Sequence, residues 1–173
     1  MIDEVIKYID KANPWLKSQG FCFMREFNEG LLLPAKKKGN EFEMVQNFDK
    51  LQEFSYWRVI APVDVVRIDN NYSVKKLYTL SYPCKLVMCK AGEKSEDAQA
   101  LSVIAQLNDI KKINREEINV YNIFIDFKNY DINQATVLKD EFGENFQIND
   151  KFNFVAFNIT LTITVDSDCL QLC

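Results

Sequence analysis

An unbroken alternation near the end of the chain limits what it can fold into more than any other feature. From Val155 onward, Val155, Phe157, Ile159, Leu161, Ile163 and Val165 fall on one face, and Ala156, Asn158, Thr160, Thr162 and Thr164 fall on the other. Side chains of a strand point alternately to its two faces, so the pattern predicts a strand over Phe152 to Val165 with one face on a core. At roughly 3.4 Å per residue such a strand runs about 45 Å, far beyond the usual length of about 5–6 residues. It is expected either to project from its domain or to lie in a sheet that other subunits extend. The feature points to assembly rather than catalysis.

The rest of the chain predicts an α+β fold in one domain, residues 1–173, built on a mainly antiparallel sheet. Ile2, Val5, Ile6, Ile9 and Ala12 form the apolar stripe of an N-terminal helix, with Asp3, Glu4, Lys7 and Lys11 facing away. Asn13-Pro14 restarts a short helical turn that ends by Gly20, and Phe21 to Phe27 reads as a strand. From Asn28 to Lys50 the periodicity is lost. This stretch holds Leu31-Leu32-Leu33-Pro34 and the basic run Lys36-Lys37-Lys38, and it is expected to form a long loop or extended arm at 28–50 that orders on assembly.

Phe54 to Ile60 and Val63 to Ile68 are two strand pieces around Ala61-Pro62, where proline suits an edge, bulge or bend. Leu77 to Leu80 and Lys85 to Cys89 flank Tyr82-Pro83, which suggests a meander. Ser95-Glu96-Asp97 starts the one central helix, with Ala100, Val103, Ile104, Leu107 and Ile110 on one face and Lys111-Lys112 at its end. Ile118 to Phe127 has apolar residues on both faces, as a central strand would. Residues 128–151 read as a mixed connection.

Composition argues against an enzyme. The chain has no histidine, which removes the commonest general base and metal ligand at neutral pH. Five glycines leave little room for a phosphate-cradling loop, and a formal charge of −4 gives no electrostatic reason to hold nucleic acid. Acidic residues open the chain where a secretion leader carries positive charge, no apolar run follows, and no stretch approaches a membrane span. A cytosolic chain with reduced thiols, with no membrane partner, is therefore expected.

Cys84 and Cys89, and Cys169 and Cys173, have spacings that could be tested against zinc. However, a strand turns Cys84 and Cys89 to opposite faces, so buried or incidental thiols are the better reading and no metal or cofactor is expected. Asp166 and Asp168, with Asp64 and Asp69, make a solvated strand end rather than a calcium loop. Tyr56-Trp57-Arg58 is either a recognition patch or core with ordinary surface.

The order of elements resembles the small α+β proteins of tailed-bacteriophage necks and tails, such as tail terminators and head–tail ring proteins. The order is an N-terminal helix, a meander with an insertion, one helix after Lys94, then two closing strands, the last running from Phe154 to Cys169. Abundant Asn, Lys, Ile, Phe and Tyr match AT-rich codons, as in Bacteroides-type or crAss-like phages. The resemblance implies a virion protein made in the host cytoplasm, forming a homo-oligomeric ring that joins other neck, tail or portal proteins, with DNA only as passing cargo. On this reading the expected interface comprises Leu31, Leu32, Leu33, Lys36, Lys37, Lys38, Phe42, Tyr56, Arg58, Thr160, Thr162 and Thr164. Two other readings are a binding module that adds a partner's strand and, with least support, a carboxylate enzyme.

Overall fold

The computed structural model describes residues 1–27, 31–45, 53–68, 76–91, 97–108, 120, 122–144 and 152–170. In chain order these form α1 (Ile2–Ala12), β1 (Ser18–Phe21), β2 (Phe23–Phe27), β3 (Leu31–Lys38), β4 (Glu41–Met44), β5 (Glu53–Val59), β6 (Asp64–Ile68) and β7 (Leu77–Ala91). Then come α2 (Asp97–Asn108), β8 (Asn122–Asp131), α3 (Gln134–Phe142), β9 (Phe152–Asp166) and one closing helical turn, Ser167–Leu170. The fold is α+β.

The long strand does not project from the domain; it lies inside the sheet. β9 pairs antiparallel with β7 over its full length, Leu77 opposite Asp166 and Ala91 opposite Phe152. On its other side it pairs antiparallel with β8. The chain supplies a matching strand of equal length, 15 residues. The sheet order is β1-β5-β7-β9-β8, with β6 also on β7.

β7 runs straight through Tyr82-Pro83, where the sequence predicts a break. The reason is local geometry. The N–H and C=O of one residue in an antiparallel strand point the same way. The Pro83 carbonyl accepts from the Ile60 N–H at 2.9 Å, on the β5–β6 side. The missing Pro83 N–H therefore faces the interruption at Ile60 to Val63 and costs no bond to β9. Ala61-Pro62 occupies that interruption, as expected of an edge.

Each face of the sheet has its own core. Phe157, Ile159, Leu161, Ile163 and Val165 meet Val5, Ile6 and Ile9 of α1, together with Trp57 and Ala100. An isolated helix of this length is marginal in water, so burying three aliphatic side chains, at about 1.5–3 kcal/mol each, is what holds α1. Ala12 lies outside the stripe and is exposed. The other face carries Phe154 and Ala156, packed with Phe54, Tyr56, Val137 and Phe142.

Several elements depart from expectation. Ser18–Phe21 adds a strand, β1, that pairs parallel to β5, the one parallel pairing among the described strands of a sheet that is otherwise antiparallel as expected. Cys22 then carries the chain into a second, three-stranded antiparallel sheet, β2-β3-β4. Where a long loop was expected, residues 31–44 form a hairpin turning at Gly39-Asn40. Three leucines, a proline, an alanine and three lysines in succession hide its alternation. Residues 28–30 and 46–50 of that expected arm lie outside the described residues.

β8 is an edge strand, not a central one. Its start is Asn122, and Ile118 and Asn119 lie outside the described residues. The expected connection at 128–151 contains α3, capped by Asn133, whose Oδ1 accepts from the Ala135 and Thr136 N–H groups at 3.1 and 3.4 Å. It stops at Gly143, which has φ +85°. On α2, Ala100 is buried and Val103 and Ile104 half-buried as expected; Ser95, Glu96, Ile110, Lys111 and Lys112 lie outside the described residues.

Candidate assembly surfaces

Among the described residues, one end of the sheet has a face that no helix covers. Val66, Thr79, Thr164 and Asn122 form one rung across β6, β7, β9 and β8. Asp64, Ser81, Thr162 and Phe124 form the next rung on the same face. Ser81 and Thr162 share a hydroxyl contact at 3.4 Å. The threonines are half-exposed, while the apolar residues at the two margins stand out: Val66 is 60% and Phe124 59% exposed. α1 and α2 pack on the opposite face, and α3 packs near Phe154 and Ala156. Thr160, Thr162 and Thr164 thus lie on an accessible face, though in the middle of the sheet rather than on a free edge.

β6 is exposed along its entire length. Val65 shares the core face with Leu80, Ile163 and Ile123, yet is 53% exposed. Val63 and Ile68 are exposed beside it. An edge strand with an apolar flank invites pairing with another strand. β8 lies at the opposite edge, level with β6. The sequence marks neither as an edge, because alternation reports faces and not neighbours.

Two expected interface residues are turned inward. Tyr56 is fully buried, and its hydroxyl donates to Glu141 Oε2 at 3.1 Å. Arg58 is 19% exposed and makes two bonds to the same carboxylate, and Lys85 Nζ adds a third cationic contact at 2.9 Å. Burial would raise the Glu141 carboxyl, but the Arg58 and Lys85 cations and their hydrogen bonds outweigh it and hold the group below its ordinary value. Desolvation, with Glu141 alongside, pushes the Tyr56 phenol well up. Tyr56-Trp57-Arg58 is therefore a core segment that anchors α3, with Trp57 donating to Asp10 Oδ1 at 3.0 Å on the other side. Glu141 carries no signal of its own in the sequence, because the groups it meets lie far away along the chain.

The remaining expected residues sit on the second sheet. Leu31, Leu32 and Leu33 are half-buried, paired with Phe27, Glu26 and Arg25. Lys36, Lys37 and Lys38 are exposed; Lys38 pairs with Glu43 at 3.2 Å. Phe42 is half-buried against Phe23 at 5.3 Å, with the Arg25 guanidinium 3.8 Å from its ring centre. Lys36 and Lys37 line a cleft of about 690 Å³ with Asp3, Lys7, Asp10, Ser18 and Phe21.

Cys22, Cys84 and Cys89 are buried free thiols, each pushed up to about 12 by desolvation. Cys84 and Cys89 enter opposite cores, as their parity predicts. Among the described residues no group of three or more His, Cys, Asp or Glu side chains could hold a metal ion. Asp166, expected at a solvated strand end, is buried; its Oδ1 accepts from the Asp168 N–H at 3.1 Å and closes the final turn. Asp69 lies outside the described residues. Among the described residues no helix is long and apolar enough to cross a membrane. No protein-family model and no curated protein matches the chain.

Proposed function

We propose that this protein is a non-enzymatic structural subunit that assembles into a homo-oligomeric ring, of the type found in the neck or tail of tailed phages. One observation carries the assembly part: among the described residues a single sheet ends on two different strands at the same level and on opposite sides, β6, exposed throughout, and β8, exposed at Asn122 and Phe124. A contact between two different surfaces of identical subunits is heterologous, and it closes into a ring when the rotation per subunit allows. Val66 and Phe124 flank a half-exposed threonine face, so each joint has an apolar contact beside its backbone bonds. The phage part rests on the Asn-, Lys- and Ile-rich composition and on a likeness in outline, an N-terminal helix, a helix after Lys94 and two closing strands, which here have α3 between them. On this reading neck, tail or portal proteins are its neighbours, and the acidic chain lets DNA pass without holding it.

Light scattering of the purified protein, followed by electron microscopy of any large species, tests the proposal. A discrete ring is the expected result. A monomer at all concentrations, unchanged by adding neck or tail components, overturns it. The same exposed β6 edge also suits a monomeric module that accepts one strand from a different protein. That reading gains if the monomer takes up a single partner chain.

A further inference from the structure

The cleft between α1, β1 and the β2–β4 sheet has a chemistry that the ring does not use. Its volume, about 690 Å³, lies in the range of built binding sites of about 300–1,000 Å³. Phe21 and Phe23 meet edge to face at 4.9 Å and supply apolar lining. Lys36 and Lys37 line it and are exposed, and the Lys36 charge reaches Asp10. Lys7 is paired with Asp3, and Asp10 accepts from Trp57. Gly20, at φ +79°, has open space where a side chain would stand, so a ligand backbone can approach β1, which is itself a sheet edge.

We propose that this cleft is a docking groove for an extended segment of a partner protein, one that presents carboxylates to Lys36 and Lys37 and an aromatic or aliphatic side chain to Phe21 and Phe23. Charge decides between peptide and nucleic acid. Lysines and aromatic rings together also suit a single strand of DNA. Asp3 and Asp10 line the same space, however, and would oppose a continuous run of phosphates, while a peptide brings amide donors as well as acids.

The test is fluorescence anisotropy on the full chain. The probes are a fluorescein-labelled peptide of alternating Glu and Phe, its Lys–Phe counterpart, and a single-stranded oligothymidylate. The expected result is saturable binding of the Glu–Phe peptide only. The Lys36→Glu, Lys37→Glu double variant should weaken it on the order of tenfold. Lys38→Glu, outside the cleft lining, should leave it within about twofold. Thermal melts of all variants confirm that these exposed positions leave the fold intact. No saturation by the Glu–Phe peptide, equal loss with Lys38→Glu, or preferential binding of the oligothymidylate overturns the proposal. The result is independent of the ring, since binding is read whether the protein is a monomer or a ring.

Discussion

Arg58 grips Glu141 with two parallel hydrogen bonds, Nε to Oε2 at 2.9 Å and Nη2 to Oε1 at 2.8 Å, across 83 residues of sequence. With Lys85 and Tyr56 added, each carboxylate oxygen accepts two donors, and α3 is pinned to the sheet. Removing one partner of a buried ion pair costs about 3–5 kcal/mol. Arg58 and Lys85 still reach solvent, at 19% and 13% exposure, so Glu141→Gln should cost less, about 2–3 kcal/mol. Urea unfolding followed by circular dichroism checks this, through a lower midpoint at an unchanged slope.

The same carboxylate sets an acid limit. Its folded value lies below its unfolded one, so its stabilisation is present above the unfolded value, near 4.5, and is lost as pH falls through the folded value. Asp10 works in the opposite sense. Desolvation raises its folded value above 3.8, so protonating it relieves a cost as pH falls. Native stability should therefore drop below about pH 4.5 less steeply in Glu141→Gln than in the parent. Unfolding midpoints from pH 6 down to about pH 3 measure the difference. Equal slopes would remove Glu141 from the account.

Val66→Lys should separate assembly from folding. The residue is 60% exposed, so stability should change by less than about 0.5 kcal/mol. A lysine on an edge strand discourages pairing, and the large species in light scattering should fall to monomer. An intact ring would show that β6 is not the joint.

The buried thiols give a reading of local opening. Cys22, Cys84 and Cys89, each pushed up to about 12 and shielded by packing, should resist iodoacetamide at pH 8 in the native protein. Peptide mass spectrometry should find them alkylated only after denaturant is added. Labelling of Cys22 alone would mean that the chain opens where it crosses from one sheet to the other.

Asn133→Ala tests the N-cap of α3. Losing the bonds to the Ala135 and Thr136 N–H groups should cost about 1 kcal/mol, seen as a lowered melting temperature. The signal was there: Asn133, then Val137 and Phe142 on the core side, then Gly143. It was masked because the preceding β8 carries a register shift between Phe127 and Asn129, which breaks the alternation where a strand end was sought.

Local periodicity alone determined α1, the core face of β9 and the opposite facing of Cys84 and Cys89. Each depends only on which side of one element is apolar, and neighbouring residues carry that information. Tertiary structure decided which elements meet. β7 satisfied the full length of β9, so the strand read as a sign of assembly is internal, while the exposed edge fell to β6. Arg58, polar and beside tyrosine and tryptophan, reads locally as surface; a glutamate on a helix 83 positions away turns it inward. Pairing and charge compensation act between segments distant in sequence, and no local pattern records the partner.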